Sequence, residues 1–411
     1  MLRESEKLDS LNKLILELSR VKDLDILMEH ILTNARRVVN ADAGSIYIAN
    51  GSRLNFSYTQ NETLQKRLKP GEKLIYSTFS LRIDKKSIAG YVASTGSPLN
   101  IENVYKIDPA SPYQFSKEFD EASDYRTESV LTIPLISSND SMLGVLQIIN
   151  AHNSNSSVVA FSEEDKEIMT HFASIASVAL EKAQMTRAII LRMIRMAKLR
   201  DPKETGDHVN RVGAFSVELY DRWAARRNIP QRTIDNNRDI LRMAAMLHDV
   251  GKVGISDLIL KKPGRFEKDE FEIMKQHTIL GARLFSGNKS ELDAAASQVA
   301  LSHHEHWDGS GYPGHIDIHT GLPLKDHTGP GGKPLGKKGE EIPLFGRIVA
   351  LADVYDALSS SRSYKDAWDE SEVLKEIRKE SGRYFDPELV EVFMSAYDVI
   401  RSIRGRYPES G

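Results

Sequence analysis

The chain has no cysteine in its 411 residues. That excludes disulfides, thiolate zinc sites, iron–sulfur clusters and a cysteine nucleophile. It also lacks any apolar run near the ~20 residues that a membrane span needs. The run Ala188-Ile189-Ile190-Leu191, for instance, is flanked by Arg187 and Arg192. Neither sign of charge dominates, the formal net charge being −3. A broad electrostatic grip on nucleic acid needs a basic excess, so no nucleic-acid partner is expected. The opening Met1-Leu2-Arg3-Glu4-Ser5-Glu6 does not look like a signal peptide. These absences predict a soluble, cytoplasmic protein with no membrane partner. The 40% of hydrophobic residues suffice for full cores, and the length suggests two or three domains of roughly 100–200 residues. Without thiolates, any metal site must be built from histidine and carboxylate, so the twelve histidines are the residues to map.

The first half changes period along its length. From Leu11 to about Val39, apolar residues recur at helical gaps. Gly44–Ile48 and Leu54–Tyr58 then alternate like strands around an Asn50-Gly51 turn. Ser129–Leu135 and Leu143–Asn150 read as a hairpin of buried strands. Helix, antiparallel strands and helix predict an α+β sandwich. Ser162 with Asp165 forms a shortened capping box that opens a long helix, with no Gly or Pro until Pro202. Its apolar stripe, Ile168, Phe172, Ile175 and Ala179, continued by Ile190, Met193, Ile194 and Ala197, is expected to pack on a second copy. The alternative is packing within one subunit. From Asp201 to about Tyr407 the pattern is helical, broken by a Gly/Pro-rich region at 309–340.

The features Ala41–Tyr47, Ser87–Ala93 with Thr95-Gly96, and the strand Gly144–Asn150 resemble a GAF domain over roughly residues 12–185. Against the signature of cyclic-nucleotide-binding GAF domains, Asn150, Phe161 and Asp165 align, but Ala151 and Lys166 depart from it. No nucleotide ligand is inferred there.

Nine of the twelve histidines lie between His208 and His327. Glu204 and His208 are spaced i, i+4, so they share a helix face. His248-Asp249 ends an apolar helical segment, where burying both is costly without partners, and Lys252 lies on His248's face, where it can reach a phosphate. His277 is weak evidence alone. His303-His304 stands before a Gly-rich turn, Gly309–Pro313, that permits close approach of a substrate. The helix around Asp353 and Asp356 would bury at least one of them.

Together the runs His248–Lys252, Lys262–Arg265, His303–Glu305 with Gly311-Tyr312-Pro313, Asp353–Leu358 and Phe385–Pro387 resemble the HD-GYP family of cyclic di-GMP phosphodiesterases. They follow the family's order across residues 200–400. The resemblance implies a multidomain α+β chain: a GAF α/β sandwich over 1–185, a connecting signalling helix over 163–200, and an all-α HD-type domain over 201–411. It implies metal ligands Glu204, His208, His248, Asp249, His277, His303, His304 and Asp353. Asp249 and Lys252 would serve catalysis, and Lys252, Tyr312, Arg362 and Lys365 would face the substrate.

The implied reaction is attack of a metal-bound hydroxide on cyclic di-GMP, giving pGpG, or GMP where hydrolysis continues, under control of the GAF domain. Two or three divalent ions are implied, three being expected from Glu204. Imidazole and carboxylate suit several metals, with Fe or Mn the expected ones. A homodimer through the GAF domain and connecting helix is the expected assembly. The competing readings are an HD phosphohydrolase for another nucleotide and a non-enzymatic receptor for a cyclic dinucleotide. Between Pro313 and Ile342 the chain departs from the family by an insertion, about residues 314–340, without obvious structure. It could form a lid or a flap that a protein partner engages; its histidines His315, His319 and His327 are not assigned to the metal site.

Overall fold

The structure is a computed structural model, and it describes residues 17–18, 20–68, 79–198, 206–287, 290–360 and 368–407. The chain divides into two compact units, residues 1–187 and 188–411.

In the first unit, helix α1 (Leu24–Val38) begins at Asp23, whose carboxylate accepts the Asp25 and Ile26 N–H groups at 2.9 and 3.2 Å. The helical pattern of the sequence is thus interrupted at residues 21–23, because Asp23 satisfies the orphan amides of a new helix start. Strands β1 (Ala41–Asn50) and β2 (Arg53–Asn61) pair antiparallel across a tight turn where Gly51 takes φ +57°. Helix α2 (Glu62–Lys66), β3 (Ser80–Arg82), α3 (Ile88–Thr95), β4 (Leu99–Ile101) and α4 (Glu118–Ser123) lead to the hairpin of β5 (Val130–Ile136) and β6 (Met142–His152). The short β7 (Val158–Val159) pairs with the end of β6. The sheet order is β3-β2-β1-β6-β5-β4, and every pairing is antiparallel.

Both faces of the sheet are covered, which is why β1 is buried from Ala41 to Tyr47 without alternation. Ile46, Leu131, Leu146 and Ile148 meet Leu27 and Ile31 of α1 on one face. Tyr47, Leu54 and Val145 meet Ala89 and Val92 of α3 on the other. Asn150 ties β6 to the segment that leads into β5 through the Tyr125 hydroxyl, the Glu128 N–H and the Arg126 carbonyl, a structural duty. At Gly144 a Cβ would lie 2.2 Å from the Tyr47 carbonyl oxygen. Gly144→Ala is therefore expected to cost about 1–3 kcal/mol by overpacking, read as a lower midpoint in chemical denaturation.

Helix α5 (Glu163–Lys198) opens with the capping box expected of Ser162 and Asp165. The Asp165 N–H donates to Ser162 Oγ at 3.1 Å, and the Ser162 N–H to Asp165 Oδ2 at 2.8 Å. Part of its predicted stripe is covered within the chain itself, while Met193 remains exposed. Phe172 and Ala179 are buried in the first unit's own core, and Ile190 and Ile194 in that of the second. Helical period identifies an apolar face but not what covers it.

The second unit is helical, as expected: α6 (Gly206–Arg226), α7 (Gln231–Met246), α8 (Asp257–Leu260), α9 (Lys268–Leu284), α10 (Glu291–Ser302), α11 (Leu344–Ser359), α12 (Glu370–Lys379) and α13 (Pro387–Arg406). Among its described residues the only β pairing is in isolated bridges. Phe215, Leu241, Val299, Leu351, Tyr355 and Phe393, from five different helices, form its core. No described helix is long and apolar enough to cross a membrane.

Candidate metal centre

Five segments bring the predicted ligands together. His208 lies in the first turn of α6, and Asp353 lies within α11. His277 is buried on α9, and His303 caps the C-terminus of α10 with His304 next to it. His248 and Asp249 stand beyond the end of α7, between it and a 3₁₀ turn at Val250–Gly254. Their backbone is not helical there, so adjacent residues can address one centre. A Cβ on Gly251 would fall 2.0 Å from the His277 carbonyl oxygen and 2.3 Å from the Gly281 nitrogen. Only glycine lets this turn sit on α9, and that contact sets Asp249 Oδ1 3.2 Å from His277 Nε2.

The donors form two adjoining sets. Asp249, His277, His303 and His304 make one, and His208, His248 and Asp353 the other; within each, the ligand atoms lie within 4.8 Å of one another. Asp249 joins them: Oδ1 is 3.6 Å from His303 Nε2, and Oδ2 is 3.4 Å from His248 Nε2. Asp353 Oδ1 lies 3.5 Å from His208 Nε2 and 3.9 Å from His248 Nε2.

Hydrogen bonding sets the tautomers. His248 Nδ1 faces the Ala245 carbonyl at 2.7 Å, His277 Nδ1 that of Met274 at 2.7 Å, and His303 Nδ1 those of Val299 and Ala300 at 3.1 and 3.0 Å. A carbonyl only accepts, so Nδ1 carries the proton and Nε2 presents a lone pair. Those lone pairs point at carboxylate oxygens. Among the described residues, His277 Nε2, His303 Nε2 and Asp249 Oδ1 are buried with no hydrogen-bond partner.

Electrostatics preserves this mismatch. Burial opposes ionisation of Asp249, yet the Lys252 ammonium holds its carboxyl well below the usual carboxylate range. Burial, reinforced by neighbouring imidazoles, pushes His304 well down, and burial also lowers His303. Buried acceptors facing acceptors need a cation between them, and neutral imidazole with carboxylate is a donor set that divalent metals take. The residues fit such ions.

Comparison with known proteins agrees with this chemistry. Residues 205–358 match the HD domain family and residues 23–180 the GAF domain family. The chain carries a GAF domain followed by an HD domain. It is 36% identical over 207 residues to the 3'3'-cGAMP-specific phosphodiesterase 2 of Vibrio cholerae serotype O1, covering 50% of this chain and 34% of that one. It is 37% identical over 217 residues to a cyclic di-GMP phosphodiesterase of Thermotoga maritima, covering 53% of this chain and 51% of that one. The chain thus spans about a third to a half of these relatives' length. The crystal structure of the GAF domain from an Acinetobacter phosphoenolpyruvate-protein phosphotransferase superposes with a TM-score of 0.32 at 18% identity, covering 44% of this chain and 96% of that one.

Lys252 lies across the 3₁₀ turn from Asp249 in the HD domain. Its ammonium pairs with Asp249 Oδ2 at 2.5 Å, the same oxygen that stands 3.4 Å from His248 Nε2. Tyr312 stacks on the His304 ring (centroids 4.9 Å apart, 28° between planes) and meets His277 edge-on at 6.5 Å. Burial, and then the Asp249 charge, pushes its hydroxyl pKa up. Glu204, Arg362 and Lys365 lie outside the described residues.

Around the ligands stand residues the sequence reading gave no role. Asp356, 1% exposed, accepts from His208 Nδ1 at 2.8 Å and from Arg211 Nε and Nη2 at 2.6 and 2.9 Å. Burial opposes its ionisation, but His208 and Arg211 keep its carboxyl below the ordinary range. This carboxylate orients His208 as a metal-binding imidazole requires. The signal was available: Arg211 follows His208 by three residues and Asp356 follows Asp353 by three, so each pair shares a helix face.

The 314–340 insertion, whose sequence shows no obvious structural pattern, is ordered by hydrogen bonds. His315 and His327 stack there at 3.8 Å, with His315 Nε2 3.5 Å from Glu341, and neither belongs to the ligand sets.

Proposed function

We propose that this HD domain hydrolyses cyclic di-GMP to linear pGpG, and pGpG onward to GMP. The observation that carries the reading is the pair of adjoining ligand sets, whose unprotonated Nε2 atoms and carboxylates converge with Asp249 between them. Asp249, His277, His303 and His304 would hold one divalent ion, and His208, His248 and Asp353 another. Such ions lower the pKa of bound water and polarise phosphoryl oxygens. Lys252 holds Asp249 ionised and keeps positive charge beside the reacting phosphodiester. Tyr312 presents an aromatic face at the edge of the histidines. On the family resemblance, Glu204 would serve a third ion, Fe or Mn being the expected metals, and Arg362 with Lys365 would clamp the second phosphate.

The relatives' names support cyclic dinucleotides as the substrate class, with 3'3'-cGAMP as the second candidate because two relatives are named for it. The GAF domain would regulate turnover in a cytoplasmic homodimer. Support for the dimer comes from α5, where Val178, Met185, Ile189 and Met196 remain exposed at gaps of seven, four and seven, the spacing of one helix face.

The test is to load the full chain with metal, incubate it separately with both nucleotides, and separate the products. We expect pGpG and then GMP from cyclic di-GMP, with chelation by EDTA abolishing both. Fully metallated protein that binds either nucleotide and leaves it intact would establish the receptor reading instead.

A further inference from the structure

The insertion is built onto the turn that carries Tyr312. Its backbone closes a ring of four hydrogen bonds: Leu324 to His315 at 2.9 Å, His315 to Leu335 at 2.8 Å, Leu335 to His327 at 2.8 Å and His327 to Leu324 at 2.9 Å. The return arm, residues 335–337, then lies against the turn. A Cβ on Gly336 would fall 2.1 Å from the Gly309 carbonyl oxygen, and one on Gly314 would fall 2.3 Å from that of Leu335. Beneath them is Glu305, 2% exposed. One of its oxygens accepts the Gly314 N–H at 2.6 Å, and the other accepts the Lys337 N–H at 3.2 Å.

A buried carboxylate is costly unless its charge is met. Glu305 is met by amides nine and thirty-two residues further on, one from the turn and one from the arm. Those bonds fix the two segments relative to each other. Between the bonded residues the turn holds Tyr312, whose N–H donates to the His304 carbonyl at 3.1 Å while its ring stacks on the His304 imidazole.

We propose that Glu305 is a positioning residue whose carboxylate latches the insertion's return arm to the Gly311–Gly314 turn and thereby sets where Tyr312 stands beside the histidines. The inference rests on the hydrolase reading and deepens it. The insertion is then part of the substrate site's frame.

Two variants of the full, metal-loaded chain test this. Glu305→Gln keeps the shape but replaces one acceptor oxygen with an amide nitrogen that cannot accept. Gly336→Ala forces the arm off Gly309 from a position remote from the ligands. For cyclic di-GMP, each is expected to raise KM about ten-fold with a smaller change in kcat, because a small misplacement of a substrate contact suffices. Metal content by elemental analysis should stay constant. Hydrogen exchange should quicken across both 309–316 and 333–339. In a Tyr312→Ala background neither change should raise KM further.

Effects that add fully to Tyr312→Ala, or Glu305→Gln exchange unchanged in both segments, would overturn the latch. If the parent protein turns over no cyclic dinucleotide, the hydrolase reading fails, and the exchange comparison still decides whether Glu305 holds arm and turn together.

Discussion

Asp249→Ala is expected to strip metal from both ligand sets together and to lower cyclic di-GMP hydrolysis by more than about 100-fold. Loss of a group one step removed from a metal already costs about 10–100-fold, and Asp249 stands closer than that. Its Oδ1 faces His277 and His303, and its Oδ2 faces His248 and Lys252. Among the described residues, no other side chain of the centre addresses both sets so directly. His208→Ala should by contrast deplete only the set it shares with His248 and Asp353. Asp249→Asn should behave almost as badly as alanine. It keeps the shape, but it removes the negative charge that balances Lys252 and offsets the ions. Elemental analysis of each purified variant, with circular dichroism to confirm the helical content, reads the outcome. Unchanged metal stoichiometry in Asp249→Ala would remove Asp249 from the ligand set.

The candidate ligands came from the family resemblance, carried by short runs such as His248-Asp249 and His303-His304, while His277 alone gave little signal. The seven that lie in the described residues gather in two sets. Lys252 reaches the centre by a different backbone route than its spacing suggests. The apolar run before His248 reads as a continuing helix, in which residues 248 and 252 share a face. The helix stops at Met246, and the next turn is 3₁₀, where residues three apart eclipse, so Lys252 lies over Asp249 and meets the oxygen that also faces His248. What drives that turn is the contact of Gly251 with α9, which no local pattern carries. The strand pairs and the capping box of α5 were legible because their signals are short-range. The partner of the α5 stripe was not, since period says nothing about whether Phe172 meets its own sheet or another chain. The insertion was less legible. Its Gly, Pro and Lys carry no period, while its order comes from backbone hydrogen bonds between distant residues and from Glu305, a residue outside it.

Asp356→Ala should combine a large loss of stability with a loss of metal, and the two can be separated. Asp356 accepts two N–H bonds from Arg211, itself 3% exposed, and one from His208. Breaking a buried ion pair from one side typically costs about 3–5 kcal/mol, because the remaining charge stays buried without its counterpart. Replacing both members with apolar residues of similar volume is far milder. Asp356→Leu combined with Arg211→Met should therefore recover most of the stability lost in Asp356→Ala, as read by chemical denaturation. It should not recover metal. His208 Nδ1 would still lack the carboxylate that fixes its tautomer and ring orientation, so affinity at the His208, His248 and Asp353 set should remain about 10–100-fold down. Elemental analysis after dialysis against a weak chelator distinguishes the two duties of Asp356. Retention of metal in the double variant at the parent level would mean that Asp356 neutralises Arg211 without orienting His208.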